Sequence, residues 1–342
     1  NKPRPEDYPS IAAMANRHLK GSGPLPPSMV LPEKIIHRTG RTLPGQFSGL
    51  MGERWEPFFL DCSKYNAASY GAYPDYLFHH GKGKINGTNK KFLEPDLSLP
   101  DAVGLDRLED RIGITRYLDS QQKFFENEAS VREFDRYTNM AISLLADPKT
   151  KSAFNVHGAD SKTQDKYGRN SFGWSLLMAR QLVEAGVKLV QVNLGNNEAW
   201  DTHQAAFPCL KNYLLPPTDQ AVSALLDDLH DRGMLEDTLV VMASEFGRTP
   251  KIFKIPNAKL PGRDHWGAVQ TVLFAGGGIN GGAVVGSSDA IGGHPASEPH
   301  SPEDFAATIY KALGIPDDAH WEDLTGRPHP IYHGSPINKL VS

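Results

Sequence analysis

Cysteine is nearly missing from this 342-residue chain. Only Cys62 and Cys209 occur, far apart and outside any CxxC pattern, which excludes a thiolate metal site or a dithiol redox motif. Either one disulfide or two free thiols fits that count. No run approaches the ~20 apolar residues that a bilayer-spanning helix needs, so no transmembrane segment is expected. Basic runs of five or six are absent and the formal net charge is −4, which argues against nucleic acid as a partner. There is no internal repeat and no low-complexity tract. The opening NKPRPEDYPS begins at Asn1 and has no apolar signal core. It reads as the start of a fragment or processed form, with any targeting segment upstream.

Glycine and proline set the texture of the first hundred residues. GSGPLPPSMVLP and HRTGRTLPGQFSGLMG rule out long helices there. One short helix is expected after Ser10 as N-cap, running through Leu19 with Gly21 past its end. HHGKGKINGTNKK (79–91) reads as an exposed, mobile loop. From Leu105 to Leu145 apolar residues recur among many charges in the helical rhythm, giving two amphipathic helices stopped by Asp147-Pro148.

The second half is more regular. Phe172, Leu176, Ala179 and Val183 stand at i, i+4, i+7 and i+11 of a helix ended by Gly186. VKLVQVNLG (187–195) reads as a strand. Val222, Leu225, Leu226 and Leu229 mark a helix entered near Thr218 and stopped by Gly233, and TLVVMAS (238–244) and AVQTVLFAGGGI (268–279) give two more strands. Ser301-Pro302-Glu303-Asp304 opens a last helix with an N-cap, a proline and acids in its first turn. This alternation predicts an α/β fold: a doubly wound, mostly parallel sheet flanked by helices, with room for an antiparallel edge. Length allows one large domain or two. We read 1–342 as a single α/β domain, N-terminally incomplete, with 100–150 as a helical layer or cap within it.

The residues around the strands carry the chemistry. After VQVNLG comes NNEAWDTHQ, with Asp201 and His203. After VVMAS comes EFGRTP, with Glu245 and Arg248. GRDHWG, with Arg263, Asp264 and His265, precedes the third strand. Open α/β sheets place ligands at the carboxyl edges of their strands. The chain between Pro250 and Gly262 must bring the third group there. Taken singly, each has an ordinary reading: an Asx-type turn at Asp201, a Glu245–Arg248 pair, an Asp264–His265 hydrogen bond. Together they assemble carboxylates and imidazoles, the ligand set of Zn²⁺, Mn²⁺ or Fe, while carboxylate alone also suits Mg²⁺ or Ca²⁺. The arginines suit a tetrahedral oxyanion. His79-His80, His294 and His300 carry less weight, although His294 or His300 is placed to rim a pocket. AGGGINGG (275–282) lacks the GK[ST] ending and the GxGxxG spacing of a phosphate loop, and reads as a turn.

The segments YGRNSFGWSLLMARQLVEAGVKLVQVNLG, WDTH, SEFGRTP, GRDHW, HSPEDFAATIYKALGI and GRPHPIYHGSPI together resemble a bacterial family labelled domain of unknown function 1501, abundant in planctomycetes. The likeness runs along nearly the whole chain and is dense from Tyr167 to Val341. That family is similar to the alkaline phosphatase and sulfatase superfamily. The resemblance implies a sandwich of that type with one or two divalent metal ions, zinc foremost, at the carboxyl edge of the sheet. Asp201, His203 and His265 would hold one ion. Glu245 would serve a second, with Asp264 standing in for the histidine that usually follows the acid, where this chain has Phe246. Arg248 and Arg263 would take charge on the transferring group. The resemblance also implies a first strand, with an acid and the nucleophile, upstream of Asn1 or on a separate piece. Thr202 is the one hydroxyl inside the ligand loop.

The function so implied is metal-dependent hydrolysis of a phosphate or sulfate ester, small-molecule or glycan, in an extracytoplasmic setting, periplasmic or exported. A non-catalytic cell-envelope relative, using the fold for binding or structure, is the alternative. Asp201 paired to Arg248 or Arg263 in place of an ion would favour it.

Overall fold

Side-chain caps account for where the helices begin. The computed structural model describes residues 3–4, 6–21, 23, 25–37, 39–62, 78–81, 83–84, 92–95, 147–195 and 198–341. Ser10 accepts the Ala13 N–H and starts α1 (Ile11–His18). Asp147 accepts from the Thr150 N–H at the entry to α2 (Pro148–Ser152), so Asp147-Pro148 opens a helix here. Asp160 caps α3 (Ser161–Tyr167), and Asn170 accepts from Phe172 and Gly173 to start α4 (Ser171–Glu184). A short helix, α5 (Ala206–Cys209), continues through a π-helical turn at Leu210–Leu214 into α6 (Leu215–Asp231). At α7 (Pro302–Ala312) Ser301 and Asp304 cap each other's backbone N–H reciprocally, with Pro302 at the first position.

The strands are short: β1 (Ser28–Leu31), β2 (Phe58–Phe59), β3 (Phe78–His79), β4 (Gly83–Lys84), β5 (Leu189–Val192), β6 (Val240–Met242), β7 (Gly247–Arg248), β8 (His265–Trp266), β9 (Leu273–Ala275), β10 (Ser287–Ser288), β11 (Pro295–Ser297), β12 (His320–Glu322) and β13 (Pro328–Pro330). Three of them form a parallel sheet in the order β2-β1-β5, with Met29 opposite both Phe58 and Val190. Its central strand lies in the proline-rich stretch, where SMVL is bracketed by Pro27 and Pro32 and every residue is buried. The remaining ladders among the described residues are two-stranded and antiparallel.

In this mixed α/β architecture the antiparallel pairing allowed for above involves two of the expected strands. The strands read at 238–244 and 268–279 pair with each other, Val240 opposite Ala275 and Met242 opposite Leu273, in antiparallel sense. A parallel pairing needs a crossover, usually a helix. The chain between them instead doubles back through β7 and β8, with Arg248 opposite His265. The helical layer expected over 100–150 lies outside the described residues except for 147–150. The loop expected at 79–91 is, where described, a β3–β4 hairpin that buries Phe78 against Tyr213, their rings stacked 5.0 Å apart.

Packing holds these elements in two cores. The larger joins the parallel sheet to α4 and α6 through Met29, Leu31, Leu177, Met178, Leu182 and Leu229. Full burial of each such side chain contributes about 1.5–3 kcal/mol. The smaller joins α1 to α7 and β12 through Met14, Tyr310 and Trp321. A charge network ties α3, α4 and α6 together. Asp228 accepts from Tyr167 Oη (2.9 Å), Arg180 Nε (2.9 Å) and Arg232 Nε (2.7 Å). Burial works against the Asp228 carboxylate. The hydrogen bonds from Arg232 and Tyr167 and the Arg180 charge outweigh it, holding the carboxyl below its usual range. Cys62 and Cys209 are both free and buried, and burial pushes their thiols up to about 12 and about 11. No helix among the described residues is long and apolar enough to cross a membrane.

Candidate metal centre

The loop after β5 is folded by its own backbone. Trp200 Nε1 donates to the Leu194 carbonyl at 2.7 Å, turning the chain back toward the strand it left. Asp201 N–H donates to Glu198 O, Thr202 N–H to Trp200 O and His203 N–H to Asp201 O, so Asp201 and His203 sit in consecutive tight turns. Thr202, between them, is buried. The chain from 260 to 263 laces onto this loop: Ala205 N–H donates to Leu260 O, Ala206 N–H to Pro261 O, and Arg263 N–H to Thr202 O. The lacing needs glycine at 262. A Cβ there would lie 2.1 Å from the His203 carbonyl oxygen.

That seam delivers His265 to Asp201. Asp201 Oδ1 lies 2.9 Å from His265 Nε2 and 2.9 Å from His203 Nε2, and the two Nε2 atoms are 3.1 Å apart. Ligand atoms around a tetrahedral zinc, with bonds of ~2.0–2.1 Å, stand roughly 3.3 Å apart, and around an octahedral ion of similar size about 3.0 Å. The triangle therefore fits one divalent cation. Two imidazole nitrogens facing at this distance cannot both carry a hydrogen, so at least one presents a lone pair. Asp201, His203 and His265 are the one group of three or more His, Cys, Asp or Glu among the described residues whose ligating atoms meet this closely. The site is open to solvent, with side-chain exposures of 31%, 30% and 48%.

Asp264 stands behind His203, its Oδ1 3.4 Å from Nδ1, and accepts the His265 backbone N–H at 2.8 Å. A carboxylate on the far nitrogen of a ligating imidazole fixes its ring orientation and raises its basicity. Arg248 Nη2 donates to Asp201 Oδ1 (2.8 Å) and to Trp200 O (3.0 Å), and Nη1 to Arg263 O (3.4 Å). Arg263 donates to Thr249 O (2.5 Å) and Arg248 O (3.2 Å). Each guanidinium has five N–H donors, so both retain some beyond these bonds. Burial opposes ionisation of Asp201, but the bonds from His265 and Arg248 and the charges of His203 and Arg248 prevail, leaving its carboxyl below the usual range.

Glu245 lies apart from this triangle. It is exposed, forms no ion pair among the described residues, and Arg248 pairs with Asp201 rather than with it. Two neighbours carry roles that sequence reasoning missed. Phe246 packs on His265, ring centroids 4.4 Å apart, and walls one side of that ligand. His80, given little weight from sequence, is placed by the β3–β4 hairpin with Nε2 3.0 Å from the Ala199 carbonyl, two residues before Asp201. Burial lowers its pKa against the pull of Ala199 and Asp201. Its signal was only its flanking Phe78, which anchors the hairpin in the core. His294 meets Trp266 edge-on at 5.5 Å, and His300 lies 3.6 Å from Asp304; neither belongs to the triangle.

Comparison with known proteins places the chain in a family. Residues 3–341 match the family described as "Protein of unknown function (DUF1501)", and the chain belongs to it. No curated protein and no solved structure matches it.

Proposed function

We propose that this family member is a metal-dependent hydrolase of phosphate or sulfate esters, built on a doubly wound sheet of the alkaline phosphatase and sulfatase type and acting outside the cytoplasm. The observation that carries the reading is the meeting of Asp201 Oδ1, His203 Nε2 and His265 Nε2 within 2.9–3.1 Å, from loops more than sixty residues apart. These three residues would hold a divalent ion, zinc foremost. Once bound, it supplies Lewis-acid neutralisation of charge on an ester oxygen.

The chain's own groups do the rest. Asp264 fixes the His203 ring, and Phe246 shields one face of His265. Arg248 and Arg263 bring positive charge to the same edge, suited to a tetrahedral dianion because a planar guanidinium takes two oxygens at once. Glu245, exposed and next in the chain to the Phe246 that packs on His265, would be the carboxylate for a second ion.

The test is reconstitution. Chelator-stripped protein is reloaded with Zn²⁺ or Mn²⁺ and assayed with p-nitrophenyl phosphate and p-nitrophenyl sulfate, alongside Asp201→Asn. Metal-dependent release that Asp201→Asn abolishes supports the reading, and equal release by both proteins contradicts it.

One observation favours a second reading, a non-catalytic relative that binds or assembles at the cell envelope. Arg248 Nη2, 2.8 Å from Asp201 Oδ1, neutralises the carboxylate with no ion at all. On that reading the stripped protein takes up no stoichiometric metal.

A further inference from the structure

Acids outnumber bases in the chain, yet the eighteen residues 246–263 contain Arg248, Lys251, Lys254, Lys259 and Arg263 and no acid at all. The two arginines are tied into the seam beside Asp201. The three lysines are different: all are exposed, and none joins an ion pair among the described residues. They ride on a hairpin closed by the reciprocal bonds between Phe253 and Gly262.

The chain beside each lysine is tied to the loops that carry the metal triangle. Lys251 lends its carbonyl to Thr249 Oγ1 at 2.9 Å. Lys254 follows Phe253, whose ring lies 6.4 Å from that of His203. Lys259 precedes Leu260, whose carbonyl takes the Ala205 N–H. Pro250, Pro256 and Pro261 stiffen the excursion, and Asn257 turns its tip at φ +66°. Ile252 and Leu260 stay half-exposed on it, at 53% and 48%. A stiff lip loses little backbone freedom when it binds, so the cost of binding falls on the lysine side chains alone.

We propose that this hairpin is a docking lip for an anionic polysaccharide, so that the ester presented to the triangle is one charge among several along a sulfated or phosphorylated glycan. The inference rests on the hydrolase reading for what happens to that ester, but not for the docking. Charge density favours a glycan over nucleic acid. DNA carries a charge every ~1.7 Å of its axis, a poor match for three separated lysines on a protein of net charge −4. A glycan bearing an ester on each sugar or two spaces its charges more widely, and its C–H faces suit Ile252 and Leu260.

The test uses chelator-stripped full-length protein, so that the triangle's chemistry plays no part. Binding of dextran sulfate is measured by titration at several salt concentrations, with neutral dextran, single-stranded DNA and anionic phospholipid vesicles as further arms. Lys251→Ser/Lys254→Ser/Lys259→Ser should weaken dextran sulfate at least tenfold and reduce the salt slope by roughly two, as expected for three lost ionic contacts. A thermal melt in chelator matching the parent's reports that the variant is folded. Lys162→Ser/Lys188→Ser/Lys211→Ser, removing equal charge from exposed positions elsewhere, should change little. Equal weakening by the two triple variants would overturn the proposal, as would tighter binding of DNA or of vesicles. Loss of the hydrolase reading alone would show as intact, lysine-dependent dextran sulfate binding in a protein that turns over no ester.

Discussion

Arg248 Nη2 lies 2.8 Å from Asp201 Oδ1, the same oxygen on which His203 and His265 converge. A cation entering the triangle must share that oxygen with the guanidinium, so the Arg248–Asp201 bond opposes metal binding electrostatically. Arg248→Gln should therefore bind Zn²⁺ more tightly than the parent while melting lower in chelator, because Trp200 and Arg263 lose a donor to their carbonyls. Calorimetric titration and chelator melts of both proteins check this.

Asp264 acts on His203 from the far side of the ring. Asp264→Asn should cost about 10–100-fold in metal affinity, the usual range for a carboxylate behind a ligating imidazole. Zinc titration of the variant checks it, and parent-like affinity would return Asp264 to a purely local role in the backbone turn.

Glu245 makes no ion pair among the described residues and is exposed. Glu245→Gln should therefore leave the melt in chelator within about 0.5 kcal/mol of the parent. Bound metal, measured by elemental analysis at saturation, should keep the ion of the triangle. A second equivalent present in the parent and missing in the variant would assign Glu245 to it.

Gly262 and Gly267 flank the same seam with opposite demands. A Cβ at 262 would sit 2.1 Å from the His203 carbonyl, whereas at 267 it meets nothing within 4 Å. Gly262→Ala should lose metal affinity and destabilise by about 1–3 kcal/mol, and Gly267→Ala should do neither. Equilibrium denaturation with and without Zn²⁺ separates them.

The pH dependence of stability should report Asp228. Its carboxyl is held below the usual range by Arg232, Tyr167 and Arg180, so its contribution is complete above the unfolded value near ~3.9 and is lost as pH falls toward the folded one. Asp228→Asn removes one of the two carboxylates on Arg180, which is only 5% exposed and keeps Glu184, and should cost about 1–3 kcal/mol at neutral pH. The gap between variant and parent in urea melts should narrow below about pH 4.

Much of this was legible because periodic apolar spacing and caps act locally. Phe172, Leu176, Ala179 and Val183 give α4, and Ser301 with Asp304 gives the start of α7. Asp201, His203 and His265 were legible as chemistry because they cluster around strands in Asp-Thr-His and Asp-His pairs. What was hidden depended on tertiary contact. SMVL is too short and too hemmed by proline to announce the central strand of the parallel sheet. The antiparallel pairing of Val240–Met242 with Leu273–Ala275 is set by the hairpin between them, which no periodicity encodes. The place of Asp264 behind His203, and of Arg248 on Asp201, follows from the seam at Gly262 rather than from spacing.

The most direct measurement is anomalous diffraction at the zinc edge from crystals of the protein soaked in Zn²⁺. The account predicts one strong peak about 2.0–2.2 Å from Asp201 Oδ1 and from the Nε2 atoms of His203 and His265, absent in crystals of Asp201→Asn. A peak elsewhere, or none while Arg248 stays bonded to Asp201, would contradict it.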